Sequence, residues 1–224
     1  MKTPNHLGII LDGNRRWAKQ NNLSSMIGHK KGAETADKII KAVKEKGIKV
    51  LTLFVFSSEN WKRSKKETDY IMNLLRKLLV ETKNKLDKEN TRIRVIGQRE
   101  KLPGDLRKEI LKVEEETKNN KGMVLNFALS YGGRAEIVQA IKNIIEKNIP
   151  VDEINEEIIR ENLWTTDVDL VIRTGKEKRI SNFLIWQSAY SEFYFSEKYW
   201  PDFTEKDLNE ALLDYSSRQR RFGR

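Results

Sequence analysis

Two arginines, a glycine turn and a serine-asparagine pair lie within residues 173–187, between two apolar segments. Residues 169–172 have the pattern of a short buried strand that ends at Arg173, and residues 183–186 form the next apolar element. The polar residues between them are predicted to form a loop at the carboxyl end of a strand, where open α/β sheets bind ligands. Guanidinium groups and the backbone amides of a glycine turn suit phosphate oxygens. The stretch predicts an anionic, phosphate-bearing substrate, and a solvated basic loop is the alternative.

Asp12 is a second candidate for a chemical role, because it follows an apolar segment directly and precedes Gly13. One interpretation is a magnesium ligand that bridges to substrate phosphates, since Mg²⁺ usually takes only one or two protein carboxylates. The other is an ordinary Asp-Gly turn. Asn14, Arg15 and Arg16 would flank the helix that follows, whose N-terminal amides can receive an anion.

Similar polar clusters follow other apolar segments, at residues 57–63 and 130–134. Because the carboxyl ends of parallel strands meet at one edge of a sheet, these clusters are expected to gather there as an active site. His29, which opens a strongly amphipathic segment, is either a helix cap or part of that site. Gly132 and Gly133 resemble a phosphate turn but lack the lysine of a nucleotide-binding loop. No Ser-His-Asp grouping is apparent, which argues against a serine nucleophile.

The elements that position these residues alternate between strand and helix. Six apolar segments are predicted to be strands, over residues 7–11, 50–56, 93–97, 123–129, 169–173 and 193–195. Four apolar stripes at helical spacing lie between them, within residues 33–43, 71–79, 106–113 and 137–145. This alternation predicts one α/β domain over residues 1–224, with a central, mainly parallel six-stranded sheet flanked by helices.

Composition narrows the classes of function. The 224 residues include no cysteine, which excludes disulfides, thiolate catalysis and Cys-ligated metals, and only 2 histidines, so a metal would be held by carboxylates. A net charge of +10 is compatible with nucleic acid, an anionic membrane surface or anionic small substrates. The sequence shows no apolar run of membrane-spanning length and no signal-peptide pattern, so the cytoplasm is the expected location.

The C-terminal residues 216–224 form a basic tail in which Arg218, Arg220, Arg221 and Arg224 accompany Phe222. Disorder is one interpretation of such a terminus. The alternative is a tail that folds over an anionic ligand, in its own or a neighbouring subunit.

Taken together, these segments resemble the cis-prenyltransferases, the family typified by undecaprenyl diphosphate synthase. The resemblance is carried, in order along nearly the whole chain, by HLGIILDGNRRWAK (6–19), GHKKGAE (28–34), LTLFVFSSENWKR (51–63), LNFALSYGGRAEIVQA (125–140), DLVIRTGKEKRISNFLIWQSAYSEFYF (169–195), WPDF (200–203) and RRFG (220–223). It implies a homodimeric enzyme that condenses isopentenyl diphosphate with an allylic diphosphate, such as farnesyl diphosphate, and makes each new double bond Z. A product such as undecaprenyl diphosphate would supply the lipid carrier of cell-wall synthesis.

The resemblance also implies roles for residues. Asp12 would be the Mg²⁺-associated aspartate, with Glu192 as a second metal ligand, and Asn60 would join Asp12 in catalysis. The substrates would be bound by Gly13, Asn14, Arg15, Arg16, Trp17, His29, Ser57, Ser58, Glu59, Trp61, Arg63, Arg173, Arg179 and Ser181. Within this set Arg173, Arg179 and Ser181 would clamp isopentenyl diphosphate, and residues 57–61 would order over the substrates. The tail's residues 221–223 would close the partner's isopentenyl site. The proton acceptor stays open among Ser57, Asn60, His29 and the released diphosphate.

The chain departs from the family's usual motifs at three positions. Ser25 stands where arginine is common, Lys176 replaces the second glycine of RTGGE, and Lys178 stands where histidine or glutamine is usual. Lysine is a point charge for phosphate but a poor metal ligand, so affinity or metal dependence is expected to differ. Val55, Phe127 and Leu129 are bulky for positions near a presumed product tunnel, which would favour a shorter product.

Two alternatives come from other classes. A catalytically weak partner subunit is disfavoured by the presence of six residues with expected roles, Asp12, Asn14, Arg16, Arg173, Arg179 and Ser181. A basic nucleic-acid binder lacks any recognisable nucleic-acid motif. The sequence therefore predicts a Z-prenyltransferase that needs Mg²⁺ and binds no nucleic acid. Peripheral contact with the inner face of the membrane is left open, because a basic surface favours anionic bilayers.

Overall fold

Six parallel strands form one sheet in the order β3-β4-β2-β1-β5-β6 in the computed structural model, which describes residues 2–86 and 90–218. The strands are β1 His6–Ile10, β2 Val50–Ser57, β3 Arg92–Ile96, β4 Val124–Tyr131, β5 Leu170–Arg173 and β6 Glu192–Phe195. The predicted α/β fold with a six-stranded sheet is confirmed, and every pairing is parallel.

Helices cover the sheet and connect its strands. They are α1 Asn14–Gln20, α2 Ser25–Glu45, α3 Lys65–Leu86, α4 Gly104–Thr117, α5 Gly133–Glu146, α6 Glu156–Asn162 and α7 Glu205–Ser217. None of the helices within the described residues is both long enough and apolar enough to cross a membrane.

The two faces of the sheet bury different clusters. Leu7 and Ile9 of β1 belong to the larger core, which the apolar faces of α2, α3, α4 and α7 complete. Ile10, Phe54 and Phe183 belong to a smaller core on the opposite face, where the rings of Phe54 and Phe183 stack at 4.7 Å. Burial of both faces explains why the strands read as continuous apolar runs in the sequence.

The order in which strands are added to the sheet reverses at β1. Strand β2 pairs with one edge of β1, and β5 pairs with the other edge after the chain returns from β4. Ile10, at the end of β1, is level with Phe54 of β2 and Arg173 of β5. The carboxyl ends of these strands therefore flank a topological switch point, which is the place where open parallel sheets form a ligand crevice.

Two apolar segments of the sequence differ in detail from a single regular, buried element. Residues 183–186 form turns rather than a regular element, because Ser181, Asn182 and Leu184 have positive φ angles, although Phe183 and Leu184 are fully buried. The stripe predicted for residues 137–145 is not one buried face. Helix α5 buries Gly133, Glu136, Ala140 and Ile144, whereas Val138, Ile141 and Ile145 are exposed.

Candidate active site

The turn after β1 fixes Asp12 at the carboxyl end of the sheet. The backbone amide of Asp12 donates to the carbonyl of Ile10 at 2.9 Å, and the hydroxyl of Thr174 donates to the carbonyl of Asp12 at 2.8 Å. Gly13 then adopts φ +109, a left-handed conformation that glycine reaches without steric cost, and α1 begins at Asn14. Asp12 is therefore held between two adjacent strands rather than on a free surface turn.

Arg173 joins this turn to the next loop. Its side chain is only 4% exposed; Nη2 donates to Oδ2 of Asp12 at 2.8 Å, and Nη1 donates to Oγ of Ser181 at 2.7 Å and to the carbonyl of Arg179. A buried guanidinium that binds one carboxylate and neutral acceptors is rigidly oriented. Arg173 thus brings Asp12 and Ser181 together, as the sequence predicted for residues of one site.

Arg16 approaches the same carboxylate from α1. Its Nη2 lies 3.0 Å from Oδ2 of Asp12, and its Nη1 lies 2.9 Å from Oε1 of Glu177. Partial burial by itself would lower the pKa of Arg16, but the carboxylates of Asp12 and Glu177 raise that pKa above its ordinary value. Gly175 leaves room for this arrangement, because a Cβ there would lie 2.8 Å from Nη2 of Arg16.

A second carboxylate gathers cations on the opposite side of the crevice. Glu67, in the first turn of α3, lies 3.0 Å from Nε2 of His29, 3.6 Å from Nη1 of Arg63 and 3.7 Å from Nε of Arg15. Burial lowers the pKa of His29, and the hydrogen bond to Glu67 only partly opposes that effect. Burial also lowers the pKa of Arg63. Sequence reasoning missed Glu67, although its spacing of four residues from Arg63 on a helix start is a recognisable signal.

The segment after β2 is a short 3-10 helix, Ser58–Lys62, closed by its own side chains. The amide of Ser57 donates to Oδ1 of Asn60 at 3.2 Å, and Oγ of Ser57 accepts from the Asn60 amide. Glu59 accepts hydrogen bonds from Ser58 at 3.0 Å and from Asn182 at 3.3 Å. Burial alone would raise the pKa of Glu59, but its hydrogen bonds outweigh burial and lower that pKa. Glu59 therefore ties this segment to the Ser181 turn.

These groups surround the mouth of one cavity of about 1060 Å³. The mouth is polar, whereas the interior is walled by apolar side chains of β2, α2 and α3, namely Ala33, Ala36, Phe54, Val55, Ile71, Leu74, Leu75 and Leu78. The volume is at the upper end of the range that small-molecule sites usually have. The cavity can hold an anionic head at its mouth and a hydrocarbon chain in its interior.

The structure brings most of the predicted site residues to this cavity. Its lining includes Asp12, Gly13, Asn14, Arg15, Arg16, His29, Ser57, Glu59, Asn60, Arg63, Arg173 and Ser181. It also includes residues to which the sequence analysis assigned no individual role, among them Lys19, Leu23 and Trp200. Their positions depend on long-range packing rather than on a local motif.

Four predicted binding residues do not line the cavity, and each has another partner. Nε1 of Trp17 donates to Asp202 at 2.7 Å, and Nε1 of Trp61 donates to Oγ of Ser130 at 2.8 Å. Oγ of Ser58 donates to Glu59, and Arg179 is an exposed side chain paired with Glu177 at 2.6 Å. Arg179 nevertheless contributes its carbonyl to Arg173, so its backbone helps to orient the site.

Glu192, the predicted second metal ligand, lies far from Asp12 within one chain. In the sheet, Glu192 of β6 is level with Leu170 of β5 and therefore with Leu7 of β1, which is five residues before Asp12. Oε2 of Glu192 accepts a hydrogen bond from Arg218 at 2.7 Å. A strand rises about 3.3 Å per residue and neighbouring strands lie about 4.8 Å apart, so the distance between Asp12 and Glu192 greatly exceeds the length of two metal-oxygen bonds. Asp12 and Glu192 of the same chain therefore cannot share an ion, and the role of Glu192 stays a prediction that this register does not support.

The donor set at Asp12 fits a magnesium ion held by a single carboxylate. Oδ2 accepts from Arg173 and forms an ion pair with Arg16, while Oδ1 accepts no hydrogen bond from residues 2–86 and 90–218. In the same part of the chain no three His, Asp or Glu side chains converge as a metal cage. Mg²⁺ is commonly held by one or two carboxylates together with substrate phosphates and water, which this turn beside a cationic mouth can provide.

Of the three positions at which the chain departs from the family's usual motifs, only one lies at the cavity. Ser25 lines the cavity, whereas Lys176 and Lys178 are exposed and do not. Val55 also lines the cavity. Phe127 and Leu129 are almost fully buried in the core and are not among the lining residues, so they do not narrow the cavity directly.

Comparisons with known proteins agree with this geometry. The isoprenyl transferase of Bacillus thuringiensis subsp. konkukian is 47% identical over 227 residues, which cover 98% of this chain and 88% of that protein. The isoprenyl transferase of Streptococcus thermophilus is 46% identical over 231 residues, covering 98% and 93%.

Two solved structures share the fold over the whole chain. Lavandulyl diphosphate synthase from Lavandula x intermedia, in complex with dimethylallyl diphosphate, superposes with a TM-score of 0.95 at 38% identity and 99% coverage of both chains. A probable undecaprenyl diphosphate synthase from Campylobacter jejuni gives a TM-score of 0.86 at 40% identity, with 100% coverage of both. The undecaprenyl diphosphate synthase family model matches residues 10–223. The chain therefore belongs to this family and is a prenyltransferase.

Proposed function

We propose that the enzyme condenses isopentenyl diphosphate with an allylic diphosphate, with farnesyl diphosphate as the primer, and makes each new double bond Z. The product is a long polyprenyl diphosphate such as undecaprenyl diphosphate, which supplies the lipid carrier of cell-wall synthesis. The observation that carries this proposal is the cavity of about 1060 Å³ with a cationic mouth and an apolar interior. A prenyl diphosphate has the same division between a charged head and a hydrocarbon chain.

The cations at the mouth suit two diphosphate heads. Arg173 and Ser181 lie on the β5 side, and we assign them to isopentenyl diphosphate together with the guanidinium of Arg179, whose carbonyl also orients Arg173. Arg63 and His29 lie on the α3 side, and we assign them to the allylic diphosphate with Asn14 and Arg16. Bound dimethylallyl diphosphate in the lavandulyl diphosphate synthase structure supports an allylic diphosphate as one substrate of this chain.

The reaction begins with cleavage of the C–O bond between the allylic carbon and the diphosphate. The leaving group keeps the bonding electrons, and the arginines at the mouth stabilise its growing negative charge in a site partly shielded from water. The double bond of isopentenyl diphosphate then attacks the allylic carbon, and C2 of the isopentenyl unit loses a proton. We assign that proton to the released diphosphate, because Ser57 and Asn60 are neutral and burial lowers the pKa of His29.

Magnesium is the proposed cofactor, and Asp12 is the residue that would hold it. When bound, the ion supplies charge that stabilises the diphosphate oxygens. Asp12 itself orients Arg173 and Arg16, since both guanidinium groups form ion pairs with its Oδ2. Asn60 lines the cavity and uses Oδ1 to close the 3-10 segment, so we assign its proposed catalytic contribution to the side-chain amide nitrogen.

A shorter Z-prenyl diphosphate is the second candidate product. Lavandulyl diphosphate synthase shares this fold with a TM-score of 0.95, and Val55 projects into the cavity that would hold the growing chain. Both products arise from the same chemistry and differ only in how far the apolar interior extends.

We further propose that the enzyme is a homodimer and that its basic tail, residues 216–224, closes the partner's isopentenyl site. The exposed apolar face of α5, formed by Val138, Ile141 and Ile145, supports self-association, since solvated helices seldom present such a face. Residues 219–224 lie outside the described part of the chain, so the proposal for the tail rests on the resemblance. The net charge of +10 supports a cytoplasmic enzyme that touches the anionic inner face of the membrane to release its lipid.

Turnover with defined substrates tests the proposed function. Purified protein, Mg²⁺, farnesyl diphosphate and labelled isopentenyl diphosphate should yield a longer polyprenyl diphosphate with new Z double bonds. Asp12→Asn, which keeps an oxygen acceptor for Arg173 but removes the charge, should lower turnover by about 1000-fold or more while the fold persists. A folded wild-type protein that gives no elongated product would contradict the proposal.

A further inference from the structure

The ring of Tyr199 carries two cations. Cζ of Arg16 lies 5.4 Å from the ring centroid, and Nζ of Lys176 lies 5.2 Å from the same centroid. A cation within about 6 Å of an aromatic centroid is attracted by the ring's quadrupole. Tyr199 therefore fixes one charge that lines the crevice, Arg16, and a second charge at its rim, Lys176.

The ring is itself held against the Asp12 turn. Tyr199 precedes the 3-10 turn Trp200–Asp202, and the amide of Trp200 donates to the carbonyl of Asp12 at 2.9 Å. A Cβ on Gly13 would lie 2.6 Å from Cδ1 of Tyr199, so the ring packs directly on the backbone of that turn. Tyr199 and Asp12 therefore keep a fixed relation to one another.

Lys176 is placed beside the ring by a turn that is unfavourable for lysine. Its φ is +66, in the left-handed region that costs a side chain energy relative to glycine. Two backbone hydrogen bonds hold the turn. The amide of Gly175 donates to the carbonyl of Lys198 at 2.7 Å, and the amide of Lys176 donates to the carbonyl of Ser196 at 3.3 Å. A strained residue held by its surroundings is a feature of functional sites.

Arg16 and Lys176 differ in whether a carboxylate balances their charge. Arg16 pairs with Asp12 at 3.0 Å and with Glu177 at 2.9 Å. Lys176 forms no ion pair with any described residue, and its ammonium lies over the ring of Tyr199. The charge of Lys176 therefore stays available to an incoming anion, and an exposed charge of this kind acts over a distance that salt shortens.

We propose that Tyr199 is a positioning residue that holds Arg16 in the crevice and Lys176 at its rim, and that Lys176 strengthens diphosphate binding in this enzyme. This inference rests on the proposed function, because it assigns the diphosphate head as the ligand. It adds a residue without charge, and a lysine outside the cavity, to the determinants of substrate affinity.

Calorimetric titration with inorganic pyrophosphate, at low and high ionic strength, tests the inference without requiring turnover. Tyr199→Leu should weaken pyrophosphate binding about three- to tenfold, whereas Tyr199→Phe, which keeps the aromatic face, should stay within about twofold. Lys176→Gln should weaken binding about threefold at low salt and lose most of that effect at high salt.

Lys178→Gln is the matched control, because Lys178 is an exposed cation two residues away that makes no ring contact with the described residues. The Lys176 effect should shrink in the Tyr199→Leu background and persist in the Tyr199→Phe background, while the Lys178 effect is the same in all three. If Tyr199→Leu does not fold, the inference is tested by comparing Lys176→Gln with Lys178→Gln in the wild-type and Tyr199→Phe backgrounds.

Wild-type affinity in Tyr199→Leu, or equal effects of Lys176→Gln and Lys178→Gln, would overturn the inference. Turnover measured in parallel separates it from the proposed function. An inactive wild-type protein counts against prenyl transfer, whereas the ranking of pyrophosphate affinities alone decides the role of Tyr199 and Lys176.

Discussion

The carboxylate of Glu67 lies 3.0 Å from Nε2 of His29, and both side chains are only 10% exposed. Arg63 and Arg15 approach the same carboxylate, so Glu67 gathers cations from three segments of the chain. Asp12 does the same for Arg173 and Arg16 on the other side of the mouth. Each carboxylate thus holds together positive charges that would otherwise repel one another, and the cations converge where the proposed diphosphate head would bind.

Replacing Glu67 by glutamine should therefore destabilise the protein and make it more dependent on an anion. We expect Glu67→Gln to lower the free energy of unfolding by about 1–3 kcal/mol, because His29, Arg63 and Arg15 lose their shared counter-charge. Pyrophosphate should stabilise the variant more than the wild type, since it supplies the missing negative charge. Thermal unfolding with and without pyrophosphate measures both effects.

Glu34→Gln provides the control for that comparison. Glu34 is 50% exposed and pairs with Lys31 at 3.3 Å on the surface of α2. Its removal should change stability by less than about 0.5 kcal/mol and leave the pyrophosphate response unaltered. Equal pyrophosphate responses in Glu67→Gln and wild type would show that Glu67 does not organise the anion site.

His6 should make the stability of the fold depend on pH. Burial lowers the pKa of His6 from 6.5 to about 4, although the carbonyls of Asp167 and Thr166 partly oppose that effect. Nε2 lies 2.7 Å from Oγ1 of Thr52, and Nδ1 lies 3.0 Å from the Asp167 carbonyl, which suits a neutral ring that donates from Nδ1. The unfolded chain binds a proton more readily than the folded one, so stability falls as pH drops from about 6.5 towards 4.

Denaturant unfolding of wild type and His6→Gln at several pH values checks this sign. Wild type should lose about 2 kcal/mol between pH 7 and pH 5 through His6 alone, because 1.5 pH units below the unfolded pKa correspond to about that energy. His6→Gln should be less stable than wild type at pH 7 yet have a correspondingly flatter profile. The two profiles should run parallel above pH 7, and parallel profiles down to pH 5 would contradict the assignment.

The exposed face of α5 should govern self-association. Val138 is 52% exposed and Ile141 is 48% exposed, on a face that Ile145 extends. Ile141→Lys should raise the dissociation constant of a dimer by about 30-fold or more, because a buried charge would replace an apolar contact. Sedimentation measures the change. Leu111→Lys, on α4 at 62% exposure, should leave the dimer intact. A dimer that survives Ile141→Lys but not Leu111→Lys would place the interface on α4.

The sheet was predictable from the sequence because its strands are buried on both faces. Strand β2 was expected at residues 50–56 and spans Val50–Ser57, and β5 was expected to end at Arg173 and does so. Continuous apolar runs bounded by polar clusters determine such boundaries locally. The same logic predicted that Asp12 and Arg173 would meet, and they lie 2.8 Å apart.

The remaining features depend on contacts that no local pattern specifies. Trp61 was expected over the substrates, but it packs edge-on against Phe56 with ring centroids 4.9 Å apart. The distance of Glu192 from Asp12 follows from the register of β5 and β6, which a motif match does not contain. Helix α5 has apolar residues on two faces, so its hydrophobic pattern alone did not identify the buried one.

Product length should respond to Val55, because a bulge turns this residue into the cavity. Phe54 is level with Ala128 and Phe56 with Leu129, so Val55 is the extra residue of β2 and has no partner in β4. It lines the apolar interior with Leu74 and Leu78 of α3. Val55→Phe should shorten the polyprenyl product by at least one isoprene unit, and Val55→Ala should lengthen it, because the side chain sets the free depth.

Chromatography of the labelled products against polyprenol standards measures this change. Leu129→Val is the control, since Leu129 is fully buried in the core and absent from the cavity wall. It should cost about 1 kcal/mol of stability without altering product length. If Val55→Phe leaves the length unchanged while Leu129→Val shifts it, the growing chain passes through the core beside β4 rather than between Val55 and α3.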